Sequence, residues 1–274
     1  MKRIRRGFTL VEVALFLAIT GVLFVGITVG VQNSLFQQRY NDSVQSFAEF
    51  LRSVYSGTMN VQNKIPGGRS NMAIYGKLVT FGQDKNLEDG ENSDNAVYVY
   101  DVIGKVGDIG VGNVLGALDG LGANVMLAEN DRAAPVGFVE EYKTRWGAGL
   151  EKTECSGTGC KFVGALLVVR HPQSGIVYTY VMDGSTLQVN EKIEEINDAI
   201  SSGASVQNAI DNGNILQANL SSFQIMDVDF CINPEGDNPS DDRRDIRIMA
   251  GARNASGVEV INLDSDENRC KQDG

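Results

Sequence analysis

FTLVEVALFLAITGVLFVGITVGV, residues 8–31, is the stretch that decides the architecture of this 274-residue chain. It contains a single charged residue, Glu12, in an otherwise apolar run. An α-helix of this length reaches about 36 Å at about 1.5 Å per residue, which is enough for the hydrocarbon core of a bilayer. The stretch therefore predicts a helix that spans a membrane.

The flanks of this stretch set its orientation and limit its interpretation. Four basic residues, Lys2, Arg3, Arg5 and Arg6, precede it, and they predict a cytoplasmic leader with the rest of the chain outside. A secretory signal peptide would have a shorter apolar region and a small-residue cleavage site after it. A plain single-pass anchor explains the length and the basic flank. It does not explain Glu12, because an unpaired carboxylate in lipid is costly and marks a functional site by default.

The residues Gly7-Phe8-Thr9-Leu10-Val11-Glu12, followed by the apolar run, resemble the class III signal of type IV prepilins and pseudopilins. That resemblance implies a leader of residues 1–7, which prepilin peptidase removes between Gly7 and Phe8 before it methylates the new N-terminus at Phe8. It also implies that Glu12 pairs, in the assembled filament, with the Phe8 amine of a neighbouring subunit. The alternative role for Glu12 is a carboxylate that snorkels to the membrane surface.

Helical periodicity continues beyond the apolar stretch. Over residues 32–62 the apolar residues recur at three- and four-residue steps, which predicts an amphipathic helix that enters the head and ends near Pro66. Within the apolar stretch, Gly26 and Gly30 have small-xxx-small spacing. This spacing lets helices approach closely, or it marks a place where the helix loosens on assembly.

Residues 63–274 are predicted to form a globular β-rich head. The β-type runs are Asn71 to Phe81, Ala96 to Ile103, Val136 to Tyr142, Phe162 to Arg170, Gly175 to Met182, Phe223 to Phe230, Arg244 to Ala250 and Gly257 to Leu263. Segments 104–134 and 187–220 break this pattern and are predicted to be insertions, the second with short helices. The fold class is α+β: a long N-terminal transmembrane and amphipathic helix packed on an antiparallel β-sheet head, the pilin fold.

The end of the chain also resembles a subgroup. The turn CINPEG, residues 231–236, and the two runs after it are loosely similar to H-type pseudopilins of type II secretion and to minor pilins of DNA uptake. In those minor pilins, arginines near the C-terminus contact DNA. The corresponding candidates are Arg243, Arg244, Arg247 and Arg253, but aspartates interleave with them, so local ion pairs on a strand are the alternative.

The four cysteines, at positions 155, 160, 231 and 270, predict disulfides, because an even count in a translocated protein is typical of them. Three connectivities exist, and we expect Cys155–Cys160 with Cys231–Cys270. A zinc site is the alternative, although the chain has one histidine, His171, and no CxxC pair.

Charge and missing motifs exclude several functions. The formal net charge is −11, and removal of the four basic leader residues gives −11 − 4 = −15, which is unsuited to general nucleic-acid binding. His171 lies in a turn before a proline, with no nucleophile motif beside it. Residues 84–95 depart from a calcium-loop pattern, and the acidic residues of 264–267 are typical of a solvated loop. We therefore expect no catalytic site, no metal and no cofactor.

The resemblance implies a structural subunit of a type IV pilus-like filament. Its expected partners are other pilin subunits, prepilin peptidase, a membrane platform protein and an assembly ATPase, since the chain has no P-loop of its own. The expected location is the cell membrane, crossed once with an extracytoplasmic head, and then an extracellular pilus or pseudopilus. The alternative is a tip-located minor pilin that acts as an adhesin or as a DNA receptor.

Overall fold

The computed structural model describes residues 9–59, 72–81, 96–106, 113–126, 128–129, 136–137, 140–146, 148–150, 154–155, 163–183, 195, 198–199, 202–203, 216–234, 243–261 and 270. The predicted leader, residues 1–7, and Phe8 lie outside these residues. The chain divides into two compact units, Met1–Asp42 and Ser43–Gly274.

One helix, α1, runs from Leu10 to Met59. It confirms the predicted continuation of the apolar stretch into an amphipathic helix. The residues before Asp42 are almost all exposed, whereas a buried face begins at Ser43 and recurs at helical spacing. The same helix therefore serves two purposes: its first part presents apolar surface, and its last part contributes to the core of the head unit.

The remaining described elements are short helices and antiparallel strands. The helices are α2 (Val114–Gly120) and two 3-10 helices, Gln217–Ser222 and Ala255–Gly257. The strands are β1 (Met72–Phe81), β2 (Ala96–Lys105), β3 (Asn124–Met126), β4 (Ala128–Glu129), β5 (Val136–Gly137), β6 (Glu140–Lys143), β7 (Gly149–Leu150), β8 (Glu154–Cys155), β9 (Val163–Arg170), β10 (Val177–Asp183), β11 (Val228–Asn233), β12 (Arg244–Ile248) and β13 (Val258–Ile261).

Two main sheets form the head. Sheet 1 has the order β10-β9-β1-β2-β3, with β6 also paired to β2, and sheet 2 has the order β13-β12-β11-β7, with β8 also paired to β11. Strands β4 and β5 form a separate pair. Every one of these pairings is antiparallel, which confirms the predicted fold class and resolves the single expected sheet into two.

Most predicted strands are found within a few residues of their expected bounds, and two are corrected. The run from Val136 to Tyr142 contains two strands, because β5 pairs with β4 whereas β6 pairs with β2. The run from Phe223 to Phe230 forms a strand only from Val228, and that strand continues through Asn233 into the expected CINPEG turn. Pairing explains the extension, since Ile232 lies opposite both Arg244 and Leu150.

The central strands of sheet 1 are buried on both faces. One face joins a hydrophobic cluster with α2 and the 3-10 helix Gln217–Ser222, to which β2 contributes Tyr98, Tyr100 and Val102. The alternate residues of β2, Val97 and Val99, are equally buried on the opposite face. Elements from the two predicted insertions thus cover one face of sheet 1. This explains why β2 and β9 are continuous apolar runs rather than alternating ones.

Candidate functional site: the N-terminal helix and its attachment to the head

The start of α1 is closed by a reciprocal set of hydrogen bonds between Thr9 and Glu12. The Thr9 amide and hydroxyl donate to Glu12 Oε2 at 2.8 and 2.9 Å, and the Glu12 amide donates to Thr9 Oγ1 at 3.3 Å. This is a capping box, in which two amides at the end of the helix obtain side-chain partners. Thr9 was not among the predicted site residues, although the T-x-x-E spacing of a capping box is visible in the sequence.

The first part of α1 exposes a long apolar surface. Large side chains from Leu10 to Phe36 are open to solvent in the isolated chain, with Leu10 at 86% and Phe24 at 72% exposure. By length and composition this helix is able to cross a membrane. Such a surface on a single chain requires lipid or another protein to cover it.

Two threonine hydroxyls within this part of α1 form hydrogen bonds inside the helix. The hydroxyl of Thr20 donates to the Phe16 carbonyl at 2.6 Å, and that of Thr28 donates to the Phe24 carbonyl at 2.8 Å. Both hydroxyls are therefore compatible with an apolar environment. At Gly26 and Gly30 a Cβ atom would meet nothing within 4 Å, so no contact with the described residues requires glycine there.

An aromatic cluster attaches the last part of α1 to both sheets. Phe47 is fully buried and its ring centroid lies 5.6 Å from that of Tyr142 and 5.6 Å from that of Phe230. Phe230 in turn lies 4.9 Å from Phe81. Since β1 and β6 belong to sheet 1 and β11 to sheet 2, Phe47 lies where the helix and the two sheets meet.

Two buried hydroxyl groups make a second connection, which joins α1 to β10 of sheet 1 and to the turn after β12. Thr179 Oγ1 of β10 donates to the Ala252 carbonyl at 2.6 Å, and it lies 2.9 Å from the Tyr55 hydroxyl of α1. Because Thr179 has one hydroxyl proton, the Tyr55 hydroxyl is the donor of the second bond. Burial raises the pKa of Tyr55 to about 12.

The predicted disulfide between Cys231 and Cys270 is confirmed, with the two Cα atoms 5.4 Å apart. Both cysteines are buried, so this bond ties the C-terminal region to strand β11. Cys160 lies outside the described residues, and the Cys155–Cys160 pairing stays a prediction.

The four arginines near the C-terminus do not form one exposed basic surface. Arg243 is buried, and Arg253 lies over the ring of Tyr178, 5.8 Å from its centroid. Arg247 donates to Asp229 at 2.6 Å and to Asp245 at 3.3 Å. These contacts occupy Arg247 with carboxylates of its own sheet, since Asp229 lies opposite it on β11.

The structure describes His171 but not the two acidic segments that were considered as metal sites. His171 lies in the β9–β10 turn, where its Nδ1 accepts hydrogen bonds from the Gln173 and Ser174 amides, both at 3.2 Å. This contact gives the imidazole a structural role in the turn. Residues 84–95 and 264–267 lie outside the described residues. Among the residues that are described, no group of three or more His, Cys, Asp or Glu side chains is placed to hold a metal ion.

Comparison with known proteins points to the same end of the chain. Residues 2–28 match the family model described as the prokaryotic N-terminal methylation motif. No curated protein shows significant similarity to the chain. No solved structure shows significant similarity either. The matched motif is a class III prepilin signal, the signal that precursors of type IV pilins and pseudopilins share, and it contains Gly7, Phe8 and Glu12.

Proposed function

We propose that this protein is a structural subunit of a type IV pilus-like filament, either a pilin or a pseudopilin. In this proposal the chain is inserted in the membrane and prepilin peptidase cuts it between Gly7 and Phe8 and methylates Phe8. An assembly ATPase and a membrane platform protein then transfer it into the filament. The role is structural rather than catalytic.

The observation that carries this proposal is the combination of the class III signal with the division of α1. The signal occupies residues 2–28, and the helix that follows it is exposed and apolar up to Phe36. The same helix is part of a packed core from Ser43 onward. A helix built in this way can exchange lipid for the helices of neighbouring subunits while the head stays folded.

The strand edges of the head support assembly through α1 rather than by strand addition. Strand β6 presents exposed Glu140, Glu141 and Lys143, and charged edge strands resist pairing with another chain. On β10, the amide and carbonyl of Val181 both bond to Gln224. On β13, the Val258 carbonyl accepts a hydrogen bond from Arg52 of α1. Of these described edges, β6 is charged, and β10 and β13 each have one residue whose backbone is already bonded to another part of the chain.

The test is to express the chain with a prepilin peptidase and an assembly system and to analyse sheared filaments. We expect the intact mass of the filament subunit to correspond to a chain that starts at methylated Phe8. A mature chain with another N-terminus, or a chain that never leaves the membrane fraction, would contradict the proposal.

Replacing Glu12 by glutamine tests the assembly role of its charge. Glutamine is also accepted at this position of a capping box, so the variant keeps the start of α1 and removes the charge alone. We expect normal insertion and cleavage but a much lower ratio of filament to membrane protein, because loss of one partner of a buried ion pair costs about 3–5 kcal/mol. Glu49→Gln, an exposed glutamate of the same helix, is the matched control. An unchanged ratio for Glu12→Gln would remove Glu12 from the interface.

The alternative role is a tip-located minor pilin that acts as an adhesin or DNA receptor. The amount of this subunit in sheared filaments distinguishes it from the main proposal. In the head, α2 and the 3-10 helix Gln217–Ser222 pack on one face of sheet 1. They make the head larger than a single sheet packed on a single helix, and a large head would suit a position at the filament tip. A subunit that repeats along the filament would be the main protein of the sheared fraction. A tip subunit would be a trace component, and a DNA receptor would also bind DNA in a salt-dependent way.

A further inference from the structure

The turn between β12 and β13 contains a modification signal that the proposed function does not use. Asn254-Ala255-Ser256 has the form N-x-S, in which the middle residue is not proline. This tripeptide is the acceptor for N-linked glycans on surface loops of proteins that leave the cytoplasm. The head of this chain is proposed to lie outside the membrane, so the signal is on the side where such glycans are attached.

Ser256 holds the side chain of Asn254 in one orientation. Asn254 Oδ1 accepts a hydrogen bond from the Ser256 amide at 2.9 Å and another from the Ser256 hydroxyl at 2.5 Å. A backbone amide can only donate, so the atom that faces it is the side-chain oxygen and not the nitrogen. Nδ2 is therefore the atom of this side chain that remains available to form a new bond. The hydroxyl of the signal already contacts the same side chain.

The backbone of this turn keeps the signal at the surface of the head. Asn254 is the N-cap of the 3-10 helix Ala255–Gly257, with an extended backbone of φ −159° and ψ 177°. The Gly257 amide donates to the Asn254 carbonyl at 3.1 Å, and the Met249 amide donates to the Gly257 carbonyl at 3.1 Å. Both Asn254 and Ser256 are exposed. The turn thus presents the asparagine and the serine of the signal together on a fixed support.

Two other N-x-S tripeptides occur in the chain, Asn41-Asp42-Ser43 and Asn219-Leu220-Ser221. The first lies inside α1, where Ser43 is fully buried, so its hydroxyl cannot be reached from solvent. The second lies inside the 3-10 helix Gln217–Ser222, where its middle residue, Leu220, is buried in the hydrophobic cluster over sheet 1. The fold therefore favours Asn254 over both of them.

We propose that Asn254 is the acceptor of an N-linked glycan, transferred outside the membrane from a lipid-linked glycosyl phosphate. In this step Nδ2 forms a bond to the anomeric carbon of the sugar, and the bond from that carbon to the phosphate oxygen breaks. The phosphate leaves with the electron pair and the amide loses one proton, so nothing is oxidised or reduced. The inference rests on the proposed function only for the location of the head.

Mass spectrometry of the mature chain from its native host tests the proposal directly. The chain is purified from membranes and from sheared filaments, and its intact mass and the mass of the peptide that contains Asn254 are measured. We expect both masses to exceed those of the unmodified sequence by the mass of a glycan. An intact mass that equals that of the chain from methylated Phe8 would overturn this inference and leave the proposed function intact. The proposed function fails separately, if the mature chain begins at another residue.

Substitutions in the signal identify the atom that is modified. Ser256→Ala removes the hydroxyl but keeps the amide that bonds to Asn254, so the turn should fold and the excess mass should disappear. Ser256→Thr restores a hydroxyl and should restore the excess mass. Asn254→Gln should also abolish it. An excess mass that persists in Asn254→Gln would place the modification on another residue, such as the Ser256 hydroxyl itself, and would refute the inference.

Asn41→Gln is the matched control, because it destroys another tripeptide of the same form whose serine is buried. This variant should keep the full excess mass, and loss of the excess mass in it would contradict the assignment to Asn254. Urea midpoints of the full mature chains show whether Ser256→Ala and Ser256→Thr are folded alike. An excess mass that is equal in these two variants would also count against the proposal, since the signal requires the hydroxyl.

Discussion

Replacing Thr179 by valine removes the hydroxyl that connects α1 with sheet 1 and with the turn after β12. The side chain keeps its volume, but two buried groups lose their partner at once, the Tyr55 hydroxyl and the Ala252 carbonyl. A buried polar group without a partner costs about 1–3 kcal/mol. The free energy of unfolding should therefore fall by about 2–6 kcal/mol, from the two groups together.

Removing the other hydroxyl of this pair, that of Tyr55 on α1, should lower the free energy of unfolding far less. Tyr55→Phe removes the donor, but Thr179 still donates to the Ala252 carbonyl, so the loss is that of one net hydrogen bond, about 0.5–1.5 kcal/mol. In the double variant no tyrosine hydroxyl is left without a partner. The double variant should lose no more free energy of unfolding than Thr179→Val alone, and clearly less than the two single variants lose together.

Urea unfolding of the mature chain in detergent, followed by near-ultraviolet circular dichroism, measures all three variants. Thr58→Val is the matched control, because Thr58 is equally buried and, among the described residues, its hydroxyl bonds only to the Val54 carbonyl of its own helix. That carbonyl keeps a backbone partner, so the control should change stability little. Additive losses in the double variant, or a Thr179→Val variant no less stable than Tyr55→Phe, would refute the hydroxyl chain.

Three more predictions follow from the same structure. Folding raises the pKa of Tyr55 from 10 to about 12, so the contribution of its protonated hydroxyl to the free energy of unfolding is complete below pH 10 and is lost between about pH 10 and 12. Comparing the alkaline unfolding of the wild type with that of Tyr55→Phe measures this loss. Gly76→Ala should destabilise the head by about 1–3 kcal/mol or more, since its Cβ would lie 2.1 Å from the Val168 carbonyl oxygen; urea midpoints measure the loss. Cys231→Ser with Cys270→Ser should cost about 4 kcal/mol in the chain-entropy account of their 39-residue separation; reduction that leaves thermal unfolding of the wild type unchanged would contradict it.

The sequence by itself determined the features that depend on neighbouring residues. The class III signal, the apolar stretch and the periodicity of α1 are local patterns, and each is confirmed by the matched motif or by the helix Leu10–Met59. The hairpin of β9 and β10 is equally local, since a short turn joins the two strands. Such patterns can be predicted because the backbone repeat of a helix or strand fixes which side chains share a face.

Only the tertiary structure decided how distant segments combine. Tyr55 and Thr179 are separated by 124 residues, and the sequence around neither residue indicates that the two side chains are in contact. The two-sheet arrangement and the split of the run from Val136 to Tyr142 depend on which strands pair, a choice that hydrophobic patterning leaves open. The exposure of Trp146 has the same origin. Its side chain is 58% exposed, and this depends on the turn between β6 and β7, where the Trp146 backbone has a positive φ of 62°.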